Sequence, residues 1–128
     1  MWQKFLYLGL AGALGTISRY CLSGLVHRYT ATEFALGTAV VNIVGCLLFG
    51  LLWAGLENKF SMNGEMRMIL FAGFFGAFTT FSSFAFESSQ LLNDSQWLRA
   101  SCHILVHNVV GIAGVVAGLA VGKSIGQL

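Results

Sequence analysis

The chain contains no proline, and only seven basic and five acidic residues in 128 positions. Soluble domains carry roughly 25% charged residues, against 9% here, with 56% hydrophobic residues and a mean hydropathy of +0.76. That scarcity excludes a soluble globular protein and points to an integral membrane protein. Without proline, any helix break must come from glycine and hydroxyl residues rather than from a missing N–H. Cys21, Cys46 and Cys102 are odd in number, lie in apolar runs and show no C-x-x-C spacing. They read as small buried hydrophobes, not as a disulfide framework or thiolate metal site. The net charge of +2 is small and scattered, which gives no case for a nucleic-acid partner. No phosphate-binding glycine loop is present, so nothing suggests ATP as a driving force.

A membrane helix needs about 20 apolar residues, so the length suits a single all-α transmembrane domain of four helices. The apolar runs predict spans over residues 5–26, 36–56, 66–92 and 97–121. The first carries Gly9, Gly12 and Gly15, a face suited to close helix approach. Polar loops are expected from His27 to Phe34, with Arg28 and Glu33, and from Glu57 to Glu65, with Ser61 and Asn63-Gly64. Asn93-Asp94-Ser95 forms a short turn, with Ser95 as the expected N-cap of the fourth helix. Lys4, Lys59, Arg67 and Lys123 fall on one side of the membrane, Arg28 and Arg99 on the other. Such a weak bias leaves the chain able to insert either way round.

The most informative stretch runs from Gly73 to Phe86, with two glycines, four hydroxyl residues and six phenylalanines in fourteen positions. It predicts backbone that leaves the helix near the middle of the third span. Irregular backbone is tolerated at membrane depth only where it lines a cavity or is buried in protein. Phe78, Phe81 and Phe84, three apart, are expected along one helical face. Other polar groups are Arg19 in the first span, Thr38 and Asn42 one turn apart in the second, and Thr79, Thr80, Ser82, Ser83 and Glu87 in the third. Each has a plain reading beside a functional one. Arg19 is an interfacial anchor or a charge at the mouth of an anion path. Asn42 is glue between helices or part of a polar pore. Glu87 meets water or the path. His103 and His107 could offer two metal ligands, but no third is evident; polar contacts between helices are the plainer reading.

Apart from Glu87, these groups are donors or neutral. A cation path would present rings of acids or acceptors, so the inventory favours an anion. Aromatic edges are electropositive, and Phe81 and Phe84 could touch an anion without a full charge; helix packing is the alternative. Carbonyls released by a broken helix could instead coordinate Na⁺, although one break offers too few oxygens and two copies would be needed.

Three signatures resemble those of the small bacterial fluoride channels of the Fluc (CrcB) family. They are Gly15-Thr16-Ile17-Ser18-Arg19-Tyr20, Gly37-Thr38-Ala39-Val40-Val41-Asn42, and Gly76-Ala77-Phe78-Thr79-Thr80-Phe81-Ser82-Ser83-Phe84. The resemblance covers all four spans. It implies an antiparallel, dual-topology homodimer in the bacterial inner membrane, exporting fluoride passively to relieve its toxicity. It implies a structural, untransported Na⁺ at the dimer centre, held by backbone carbonyls of Gly76 and Thr79 from each subunit. It matches Phe81, Phe84, Asn42, Ser83 and Arg19 to the fluoride path and Glu87 to a family glutamate; the inventory of polar groups adds Thr38, Thr80 and His107 to the expected path. Ala77 and Phe78 depart from the family pattern at the break, as do His103, His107 and Gly111 on the fourth helix. A heterodimer with a homologous partner chain is one alternative. Another is a small dual-topology multidrug exporter, which couples to protons through an acid in its first helix; here that helix holds only Arg19.

Overall fold

The computed structural model describes residues 2–30, 36–59 and 62–126; Glu33 and Phe34 of the expected first loop and Ser61 of the second lie outside them. Helix α1 is Trp2–Tyr29 and α2 is Leu36–Lys59. The third span begins with α3 (Gly64–Arg67), widens into a π-helical stretch (Met68–Phe75), closes with the turn α4 (Gly76–Phe78) and resumes as α5 (Phe81–Asn93). The fourth comprises α6 (Trp97–Leu105), a π-helical turn (Val106–Val110) and α7 (Gly111–Gly126). Among the described residues, four helices are long and apolar enough to cross a membrane: Trp2–Tyr29, Leu36–Leu56, Gly64–Asn93 and Trp97–Gly126.

The helices overrun the apolar runs, because helical hydrogen bonding does not stop where hydrophobicity does. His27 and Arg28, expected in a loop, occupy the last turn of α1, where positive groups complement the helix dipole. Thr30 then closes the helix, its N–H donating to the Val26 carbonyl at 2.9 Å and its hydroxyl at 2.6 Å.

Packing between helices is set by glycine. A Cβ on Gly50 of α2 would strike the Val115 carbonyl, and one on Gly118 of α7 would strike the Leu47 carbonyl and lie 2.7 Å from the Leu51 nitrogen. Backbone thus touches backbone along the α2–α7 seam, the close approach that small residues permit in a membrane. α1 meets the third span in the same way. A Cβ on Gly15 would collide with the Phe74 carbonyl, and one on Gly12 would lie 3.9 Å from the Gly73 carbonyl. Gly9, expected on that face, has open space around it. Rings fill the remaining gap between α2 and the third span: Phe71 lies 4.7 Å from Phe49 and 4.9 Å from Trp53, centre to centre. Leu6, Leu10, Leu14 and Ile17 on α1, with Leu105, Ile112 and Val116 on the fourth span, stay exposed, as side chains facing lipid would.

The α5–α6 turn corrects one expectation. Ser95 is not the N-cap of α6; Gln96 holds that position, without a side-chain hydrogen bond. Ser95 instead ends α5, with φ of 59°. Its N–H donates to the Leu92 carbonyl at 3.1 Å, and the Gln96 N–H donates to the Leu91 carbonyl at 2.8 Å. These two bonds define a Schellman motif, whose left-handed position usually belongs to glycine.

Two substitutions test this frame by thermal unfolding in detergent. Ser95→Gly should raise stability by about 1 kcal/mol, since glycine lacks the left-handed penalty. Gly118→Val should lower it by about 1–3 kcal/mol or more through overpacking of the α2–α7 seam, while Gly9→Ala should change little.

Candidate functional site

The site is built around two residues that leave the helical region. Thr79 has φ −84° and ψ 158°, and Thr80 has φ −147° and ψ 110°. β-Branched side chains suit such extended backbone. The N–H groups of both residues and the Thr80 carbonyl find partners close by. The Thr79 N–H and hydroxyl both donate to the Phe75 carbonyl, each at 3.0 Å. The Thr80 N–H donates to Oδ1 of Asn42 at 2.8 Å, and Nδ2 of Asn42 donates back to the Thr80 carbonyl at 3.0 Å. The primary amide of α2 therefore clamps the peptide groups of Thr80 as a neighbouring strand would. Thr80 Oγ1 accepts from the Ser83 N–H at 3.2 Å, which makes Thr80 the N-cap of α5. The same hydroxyl donates to Ser83 Oγ at 3.0 Å and lies 3.2 Å from Ser82 Oγ.

These bonds divert donors that a continuous helix would use. In an α-helix the N–H groups of Thr80 and Ser83 would serve the carbonyls of Gly76 and Thr79. Here they go to Asn42 and to the Thr80 hydroxyl, so both carbonyls lose their helical partners. Gly45 of α2 makes room for the kink, because a Cβ there would strike the Thr79 methyl group.

Two cavities meet at Thr80, which lines both. One, of about 220 Å³, gathers Arg19, Thr38, Thr80 and Ser83 with Thr16, Tyr20, Ser23 and Val41. The other, of about 210 Å³, gathers Asn42, Thr79, Phe81, Phe84 and His107 with Thr80, Cys46 and Asn108. The expected common face of Phe78, Phe81 and Phe84 does not form, because two extended residues intervene. Phe78 is buried and stacks on Phe74 at 5.8 Å. Phe81 and Phe84 lie 5.4 Å apart at a 58° tilt. Phe84 is 8% exposed and Phe81 78%, so the pair joins the cavity to the outer face of the chain.

Glu87 does not stand free in water. Thr38 Oγ1 donates to its Oε1 at 2.5 Å, and its Oε2 lies 3.4 Å from Nε2 of His103. His103 is fully buried, with Nδ1 3.2 Å from the Ser88 hydroxyl. Its ring lies 4.3 Å from that of His107, which lies 4.5 Å from Phe84. His107 turns Nδ1 toward the His103 carbonyl at 3.0 Å, so that nitrogen carries the proton. Among the described residues, no group of three or more His, Cys, Asp or Glu side chains could hold a metal ion. Gly76 sits at the start of α4, outside both cavity linings, and Gly111 is buried, where a Cβ would lie 3.7 Å from the Cys46 sulfur.

Thr16 and Ser23 were not among the expected site residues. With Arg19 they recur at helical spacing, so the signal was present along one stripe of α1. Ser88 left no local signal; only the folded chain brings it to His103. Taken together, the first cavity presents a guanidinium and several hydroxyls, and the second presents an amide, hydroxyls and phenyl rings. This surface suits a small anion.

The clamp makes a direct prediction. Asn42→Ala orphans the Thr80 N–H and carbonyl, at about 1–3 kcal/mol each, and should cost about 2–6 kcal/mol in thermal unfolding. Asn42→Asp should cost at least as much, because it keeps the acceptor but sets a second acceptor against the Thr80 carbonyl. A variant with Asn42→Ala as stable as wild type would show that the clamp is dispensable.

Comparison with known proteins bears on the same residues. A family model described as CrcB-like protein, Camphor Resistance (CrcB), matches residues 6–119. A protein of Nitrosococcus oceani named fluoride-specific ion channel FluC is 50% identical over 98% of this chain and 100% of its own length. Proteins of the same name are similar from Nitratidesulfovibrio vulgaris, at 46% over 94% of this chain and 98% of that protein, and from Desulforapulum autotrophicum, at 41% over 98% and 100%. The matched region contains the Asn42–Thr80 clamp, both cavities and the Phe81–Phe84 pair, and the chain belongs to the CrcB-like family.

Proposed function

We propose that this chain is a fluoride-selective channel that lets F⁻ leave the cytoplasm of a bacterium down its gradient, without ATP. The observation that carries this reading is the Phe81–Phe84 pair sharing a cavity with the Asn42 amide and the Thr80 backbone, in a chain half identical to a protein named for fluoride. Fluoride is small and strongly hydrated, so a selective path must replace its water with donors. Arg19, Ser83 and the Asn42 amide supply them, and phenyl edges contact the ion weakly enough to release it. Thr38 restrains Glu87, so its carboxylate does not lie open to the anion.

The working unit in this proposal is an antiparallel homodimer. Two features support it. Phe81 is 78% exposed, as a pore ring completed by a second surface would be, and the charge bias is too weak to impose one orientation. The carbonyls of Gly76 and Thr79, deprived of their helical donors, suit a hard cation. Two copies would together offer four oxygens to a Na⁺ at the dimer centre. Bound there, Na⁺ would neutralise the dipoles of the unwound backbone and tie the subunits together; it is not transported.

Purified protein in liposomes should pass fluoride rapidly, exclude chloride and require no proton gradient. Phe81→Ile and Phe84→Ile should each slow the flux by roughly tenfold or more, as expected when contacts made along the path are lost, while the dimer persists on size-exclusion chromatography. Efflux equal to that of protein-free liposomes, with Na⁺ present, would contradict the homodimer. Recovery of efflux only with a second homologous chain would replace it by a heterodimer.

A further inference from the structure

The contacts around Glu87 impose a proton count. The Ser88 hydroxyl has one proton, and it donates that proton to the Phe84 carbonyl at 2.7 Å. Toward His103 Nδ1, at 3.2 Å, Ser88 is therefore an acceptor, and Nδ1 carries the hydrogen. In neutral His103 the lone pair then sits on Nε2. That nitrogen lies 3.4 Å from Oε2 of Glu87, an oxygen shut off from solvent. An ionised Glu87 would set two lone pairs against each other in a poorly solvated space, a costly arrangement. One proton between them removes the conflict, whether it rests on the carboxyl or makes His103 an imidazolium. In either form the pair is neutral as a unit, and its titration belongs to the pair.

We propose that Glu87 and His103 form a proton-binding site, one proton held between Oε2 and Nε2, that keeps the charge of Glu87 off the donor-lined cavity. The other oxygen of Glu87 accepts from Thr38, which lines that cavity with Arg19, Thr80 and Ser83. The fourth span adds the His107 ring, 4.3 Å from that of His103. α1 adds His27, within electrostatic reach of Glu87 and pressed against Gly37 of α2, and Arg19 across the cavity. α2 supplies the Thr38 hydroxyl.

The consequence for transport rests on the fluoride-channel reading. With the proton bound, the anion meets a neutral pair; once it leaves, a carboxylate charge stands one hydrogen bond from the cavity and repels fluoride. Fluoride current through planar bilayers, measured under voltage clamp, should fall by about threefold or more between about pH 5.5 and about pH 8. In Glu87→Gln, which cannot take that charge, the ratio of currents at the two pH values should be close to one. His103→Gln should displace the midpoint. A wild-type ratio of one, or an unchanged profile in Glu87→Gln, overturns the proposal.

A second measurement needs no current. Nitrogen-15 histidine NMR of the intact protein in lipid should find His103 protonated at Nδ1 at neutral pH, with an Nε2 resonance that moves on Glu87→Gln. A neutral His103 protonated at Nε2 instead, or one indifferent to Glu87→Gln, also overturns it. Absence of fluoride current at any pH would sink the channel reading, and the NMR result would still decide the proton site.

Discussion

Two hydrogen bonds between the Asn42 side chain and the peptide groups of Thr80 hold the rest of the site in place. An extended residue within an apolar span would leave an N–H and a carbonyl without partners, at a cost of about 1–3 kcal/mol each. Asn42 answers both at 2.8 and 3.0 Å. Thr80 can then turn its hydroxyl to cap α5. That cap fixes where the second half of the span begins, and so where Phe81, Ser83, Phe84 and Glu87 lie. The same diversion releases the carbonyls of Gly76 and Thr79. One side chain on α2 thus determines both a donor-lined wall and a candidate cation seat.

The clamp works only if α2 is itself immobile. Its reference frame is the seam with α7, where Gly50 and Gly118 bring backbone against backbone. Gly45 sits one turn from Asn42 and clears space for the Thr79 methyl group. Small residues therefore do the positioning, and polar residues do the chemistry. Charge is arranged with similar economy. Arg19 stands on one side of the cavity, and Glu87 is held by Thr38 and faces His103 on the other, so the space between them is dominated by donors.

Much of this was legible from residue types alone. Four apolar runs marked four spans, and hydroxyls beside glycines marked the Gly73–Phe86 stretch as unusual. Thr38 and Asn42, one turn apart, pointed to one face of α2. Local periodicity failed at the kink itself: a spacing of three joins Phe78 to Phe81 and Phe84 only if the helix continues, and Thr79 and Thr80 do not continue it. Ser95 likewise has the chemistry of an N-cap but serves a left-handed C-terminal position, because side-chain type does not reveal backbone dihedral. The meeting of Glu87 with His103 and of His103 with Ser88 could not be read locally. It depends on how α5 and α6 fold back on each other.

The clamp is tested most directly by amide hydrogen exchange at Thr80, in lipid, for wild type and Asn42→Ala. If Asn42 holds the kink, the Thr80 amide is protected in wild type and its exchange quickens by roughly tenfold or more in the variant, the equivalent of one lost hydrogen bond, while amides along the α2–α7 seam stay protected. Equal exchange at Thr80 in both proteins would mean that another contact holds the extended backbone, and the account of the site would fail with it.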